Sequence, residues 1–127
     1  MNFAKIVFWV AGIWGFLVLT PLYFMLDIIG QKDPPPITHP GFFYGFVGVA
    51  LVWQVVFIIV ATDPVRYRPL MIPSILEKVG WSAPVTVLVL QERMHKSDLV
   101  FAGTDLLLGV LFVIAWFKTP SRPSSTS

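Results

Sequence analysis

Pro69-Leu70-Met71-Ile72-Pro73-Ser74-Ile75-Leu76-Glu77-Lys78-Val79-Gly80-Trp81-Ser82-Ala83-Pro84-Val85-Thr86-Val87-Leu88-Val89-Leu90 is the stretch on which the fold turns. It is long enough to cross a bilayer, which takes about 20 apolar residues. It also holds Glu77, Lys78 and two interior prolines, Pro73 and Pro84. Near a helix centre each charge costs about 2.5–3.5 kcal/mol, and each Leu, Ile or Val returns about 0.3–0.6 kcal/mol. The roughly ten aliphatic residues of the stretch therefore about offset its two charges. Ile72, Ile75, Leu76 and Val79 share one face at helical spacing. The first half thus reads as an interfacial helix, with the crossing starting after Gly80 and a kink between Gly80 and Pro84.

On either side the reading is plainer. Upstream, about 6–29 is apolar, and its one full charge, Asp27, lies near the far end. Pro21 removes a backbone donor there and predicts a kink. The stretch exceeds a signal-peptide h-region and no Ala-x-Ala site follows, so a cleaved leader is not expected. Gln31 to Pro40 holds four prolines and predicts an extended loop. A second span, about 41–61, is uncharged, with Gln54 its one strongly polar side chain, and ends at Asp63-Pro64. Downstream, Gln91 to Asp98 is a charged loop, and about 99–117 is a further span containing Asp105. Trp116-Phe117-Lys118 resembles an interfacial anchor. Residues 119–127 are rich in Ser and Pro and predict a disordered tail.

Composition agrees. The chain has 127 residues, 56% hydrophobic and 13% charged, against about 25% charged in soluble domains. Mean hydropathy is +0.77. These values exclude a soluble enzyme, and a net charge of +2 gives no footprint for nucleic acid. There is no cysteine, hence no thiolate chemistry and no Cys-ligated metal. The expectation is an all-α, integral membrane four-helix bundle in one domain, residues 1–118, with spans at about 6–29, 41–61, 69–90 and 99–117. Four spans put Lys5, Arg66, Arg68, Lys118 and Arg122 on one side and Lys32, Arg93 and Lys96 on the other, which favours cytoplasmic termini. A three-span reading distributes the cations six to three, so charge bias does not separate the two.

Candidate sites are few. Glu77, Lys78 and Asp105, with Gln54, form an intramembrane polar set; such groups face a bundle interior or a wet cavity. At 1.5 Å per residue, Lys78 and Asp105 differ by about 6 Å in depth, within reach of a lysine stem. The favoured reading is a structural Lys78–Asp105 ion pair with Gln54 hydrogen-bonded to Glu77; the alternative is a proton- or substrate-handling carboxylate pair. Arg66 and Arg68, flanking Tyr67, could grip anionic head groups, although a topogenic turn is preferred. Ala11/Gly15 and Gly41/Gly45/Gly48 have small-residue spacing, read first as packing within the bundle and second as the face of a homodimer or larger membrane complex. Trp53, in mid-span, reads as core. His39 and His95 lie in loops, outside any span, so no haem, other cofactor or metal is expected.

Phe43-Tyr44-Gly45-Phe46, Gly48-Val49-Ala50-Leu51, Trp53-Gln54, Asp63-Pro64, Arg66-Tyr67-Arg68-Pro69-Leu70-Met71, Glu77-Lys78 and Asp105-Leu106 with Leu108-Gly109-Val110-Leu111-Phe112 resemble small bacterial four-span proteins without an assigned activity, DoxX-like in outline, over roughly residues 40–117. The resemblance implies a four-helix membrane bundle and a bacterial inner-membrane location, and carries over no catalytic residue. The favoured function is a non-catalytic accessory, assembly or scaffold subunit; the alternatives are a binder or isomerase of a small hydrophobic molecule using Glu77 and Asp105, and a dimeric proton-coupled transporter. The last is disfavoured because span 1 has no central carboxylate.

Overall fold

The computed structural model describes residues 3–32, 37–94 and 96–120. Among them there are only helices and turns. Helix α1 covers Phe3–Leu19 and passes into a 3₁₀ turn, Thr20–Phe24. The tightening falls where Pro21 lacks an N–H for the α-helical ladder. Met25 leaves helical geometry, and a separate short helix α2 covers Leu26–Lys32. The expected first span thus ends nearer Phe24 than residue 29. Helix α3 runs Pro40–Thr62, with Pro40 at its first position, where a missing donor costs nothing. A turn and a 3₁₀ segment, Arg68–Leu70, lead into α4, Met71–Leu90, and α5 covers Asp98–Lys118.

Three segments are long and apolar enough to cross a membrane: Phe3–Phe24, Pro40–Thr62 and Asp98–Lys118. α4 matches them in length with 20 residues, but its serines and its charges dilute its apolar content. α4 is assigned as one helix through Gly80 and Pro84, the stretch where a kink is expected. Pro84 lies on the exposed side of the helix, away from the packed face. The core of the proline-rich loop, residues 33–36, lies outside the described residues, as do His95 of the charged loop and residues 121–127 of the tail. Thr119, expected in the tail, is instead buried, and its N–H donates to Ala115 O at 3.0 Å.

The helices pack as an antiparallel chain of neighbours: α3 on α1, α1 on α5, α5 on α4. α3 and α4 barely touch, so the bundle is open along that edge. At the centre, Phe8, Phe57 and Phe112 are fully buried, one from each of α1, α3 and α5. Phe8 stacks on Phe112 at 4.2 Å between centroids, and Phe57 meets both edge-on at 6.1 and 5.1 Å. Offset and edge-on rings add to area burial.

The outside is as apolar as the inside. Ile13, Leu17, Val52, Leu76, Leu107 and Val110 are all exposed. α4 is the clearest case. It turns Ser74, Lys78 and Ser82 inward at four-residue spacing, and Ile72, Leu76, Val79, Val87 and Leu90 outward. Much of the apolar face that the sequence assigned to an interface therefore points away from the protein, and the polar stripe is the buried one. That arrangement is unfavourable in water and natural where the surroundings are hydrocarbon.

Candidate functional site: a charged seam and a groove

The α4–α5 seam is polar at three levels. At one end Arg68 reaches the last turn of α5. Its Nε and Nη2 donate to Trp116 O at 3.3 and 3.2 Å, and its guanidinium lies 3.5 Å from the Trp116 ring centroid. At the other end the Ser82 hydroxyl lies 2.8 Å from Lys78 O and 3.2 Å from Ala102 O on α5. Between them is Lys78, only 4% exposed.

Lys78 Nζ donates to Asp105 Oδ1 at 3.4 Å, lies 3.8 Å from Glu77 Oε2, and stands 5.0 Å from the centroid of Phe57. Three of the four members of the predicted polar set are therefore together. Gly109 makes room for this: a Cβ there would come within 3.2 Å of Lys78 Cβ, so the absence of a side chain lets the lysine stem cross α5 closely. The side chains of Glu77 and Asp105 are about one-fifth exposed, 19% and 21%. Glu77 Oε2 is itself buried and has no hydrogen-bond donor; its ammonium contact is beyond hydrogen-bond range.

Gln54 stands apart from this set. Its Nε2 donates to Ala50 O in its own helix at 2.8 Å, and its Oε1 has no hydrogen-bond partner. The expected Gln54–Glu77 bond is not made, because Gln54 faces α1. There its side chain fills the place where a Cβ of Gly15 would stand.

Where α3 and α4 diverge, a groove of about 480 Å³ opens sideways. Phe42, Gly45, Phe46, Ala50 and Trp53 of α3 form most of its wall, and Glu77 of α4 is its one charged lining residue. Phe46 stacks on Trp81 of α4 at 5.3 Å. The small residues thus divide. Ala11 and Gly15 are buried in the α1 interface, as the packing reading expects, whereas a Cβ at Gly41 or Gly45 would meet nothing within 4 Å. Gly12, which spacing did not single out, also sits in the α1–α3 contact: a Cβ added there would come within 2.6 Å of Ile58 Cγ1. Trp53, read as core, also lines the groove. The groove was not legible in the sequence, since it depends on which pair of helices fails to pack.

The two turn arginines separate as well. Arg68 is engaged with Trp116. Arg66 is exposed, its guanidinium 5.4 Å from the Tyr67 ring, and its backbone N–H donates to Asp63 Oδ1 at 3.3 Å. His39 lies against Phe42, ring centroids 5.5 Å apart. Among the described residues no group of three or more His, Cys, Asp or Glu side chains is placed to hold a metal. No family model matches the chain, and neither a curated protein nor a solved structure matches it.

Proposed function

We propose that the chain is a four-span protein of the bacterial inner membrane, both termini cytoplasmic, that binds a small hydrophobic molecule from the bilayer without converting it. The fourth crossing is α4. Its 20 residues reach about 30 Å at 1.5 Å per residue, its Lys78 lies between Glu77 and Asp105 inside the bundle, and its outward face is aliphatic. The DoxX-like outline is in keeping with that count.

The observation that carries the binding reading is the lateral groove between α3 and α4. It is apolar and aromatic, with one carboxylate in its wall, the make-up of a small-molecule site. Binding is favoured over isomerisation because Asp105 is engaged by Lys78 across the seam and is not among the groove's lining residues. A general acid and base need to face a substrate together.

A second reading, an accessory, assembly or scaffold subunit, is favoured by Gly41 and Gly45, whose open faces leave room for a partner helix. One experiment separates the two. The chain is purified in a mild non-ionic detergent, and its co-purifying small molecules and proteins are identified by mass spectrometry. Gly45→Leu, which enters open space, is carried in parallel. The binding reading expects a lipid-like molecule on the wild type that is lost from the variant. A stoichiometric protein partner with no small molecule overturns it in favour of the accessory subunit.

A further inference from the structure

Resting on the groove as a small-molecule site, the charge balance at its wall identifies the class of ligand. We infer that the groove binds a lipophilic monocation, a protonated amine carrying an alkyl or aromatic tail, with its ammonium on Glu77 and its tail along α3. One ammonium, Lys78, serves two carboxylates. Its hydrogen bond goes to Asp105, which leaves Glu77 as the surplus anion of the triad. Glu77 is also the carboxylate residue that lines the groove, with its Oε2 turned toward Lys78 and its side chain still 19% exposed.

A partly exposed, under-partnered carboxylate at membrane depth favours an occupant that brings both a positive charge and an N–H. A carboxylate or phosphate head group would add a second surplus negative charge and is repelled. An alcohol supplies a hydrogen bond and leaves the charge unbalanced. The rest of the wall suits a cation with an apolar tail. Phe42, Phe46 and Trp53 present aromatic rings, which attract cations electrostatically as well as covering hydrocarbon. The groove is open along its side, so such a molecule enters from the bilayer without passing through the bundle.

The test is equilibrium dialysis of radiolabelled dodecylamine and radiolabelled dodecanol, one at a time, against the chain in phosphatidylcholine nanodiscs. Empty nanodiscs provide the partition blank. The two probes share a tail and differ in the head group. Wild type is expected to bind dodecylamine saturably and about 10- to 100-fold more tightly than dodecanol, the range of one charge-assisted hydrogen bond. Glu77→Gln is expected to bring the amine down to the alcohol's affinity. Retained dodecanol binding shows that this variant is folded. Gly45→Leu is expected to lose both. Equal affinities in the wild type, with both lost in Gly45→Leu, overturn the monocation while leaving the groove as a binding site. An amine preference that survives Glu77→Gln overturns the assignment to Glu77. Absence of saturable binding by either probe overturns the groove reading itself.

Discussion

Lys78 Nζ lies 3.4 Å from Asp105 Oδ1 across the α4–α5 seam, with the lysine 4% exposed and the aspartate side chain 21% exposed. Neither helix could place its charge at this depth alone, because an unpaired ion in a poorly solvated interior is costly. The prediction is non-additivity. Lys78→Met strands Asp105 and Glu77 together and should cost on the order of 3–5 kcal/mol. Adding Asp105→Asn should recover most of that loss and leave Glu77, at the groove, as the one stranded charge. Thermal unfolding of both single variants and the double in dodecyl maltoside measures the coupling. Effects that simply add would show that the two residues do not act as a pair.

Gly15 and Gln54 hold α1 and α3 close. The Gln54 side chain, 2% exposed, occupies the place a Gly15 Cβ would need. Gly15→Ala must push Gln54 off its bond to Ala50 O, and overpacking of this kind costs about 1–3 kcal/mol. Gln54→Ala in the same chain makes room and should restore much of the loss. Gly45→Ala, on the same pair of helices but facing the groove, should be neutral or stabilising by up to about 1 kcal/mol through helix propensity. Equal losses at Gly15 and Gly45 in the same unfolding assay would show that Gln54 does not set the α1–α3 spacing.

The all-α class and three apolar helices were legible in the sequence because lipid leaves few alternatives to long uncharged runs. Lys78 and Asp105 could be matched from depth, since axial rise is nearly invariant. Rotation about each axis was harder. Gln54 and Glu77 have similar depths, yet one faces α1 and the other the groove, and depth carries no information on facing. The apolar set Ile72, Ile75, Leu76 and Val79 has helical periodicity, yet three of its members face outward and Ile75 packs against the core. In hydrocarbon the exposed face of a helix is the apolar one, so a moment marks an inward face only if the solvent is known.

Arg66 and Arg68 are two residues apart and should respond to different experiments. Arg68 is bound to the carbonyl and ring of Trp116. Arg68→Gln should lower stability by about 1–2 kcal/mol, the scale of a charged hydrogen bond with a cation–π contact, in any lipid. Arg66 is exposed beside the turn. Arg66→Gln should leave unfolding unchanged and reduce stabilisation by phosphatidylglycerol, a salt-sensitive effect. Unfolding of both variants in nanodiscs with and without phosphatidylglycerol makes the comparison. A loss of lipid dependence in Arg68→Gln, with none in Arg66→Gln, would reverse the assignment.

Whether α4 crosses the membrane has a direct consequence for the two chain ends. With α4 spanning, α1, α3, α4 and α5 alternate in direction, and the ends return to one side. With α4 lying outside the hydrocarbon, the odd number of crossings separates them. The bundle favours the first arrangement on energetic grounds: α4 runs antiparallel along α5 from Arg68–Trp116 through Lys78–Asp105 to Ser82–Ala102, and α5 is itself apolar enough to span. Moving α4 into water would expose Leu76 and Leu90, already 63% and 78% uncovered by protein, at about 1.5–3 kcal/mol for each such side chain. A fluorescent protein that matures only in the cytoplasm should light up whether it is fused before Met1 or after Ser127. Alkaline phosphatase, active only outside, should be silent at both ends. Fluorescence at one end with phosphatase activity at the other would establish three crossings, and would place the Lys78–Asp105 seam at the membrane surface rather than within it.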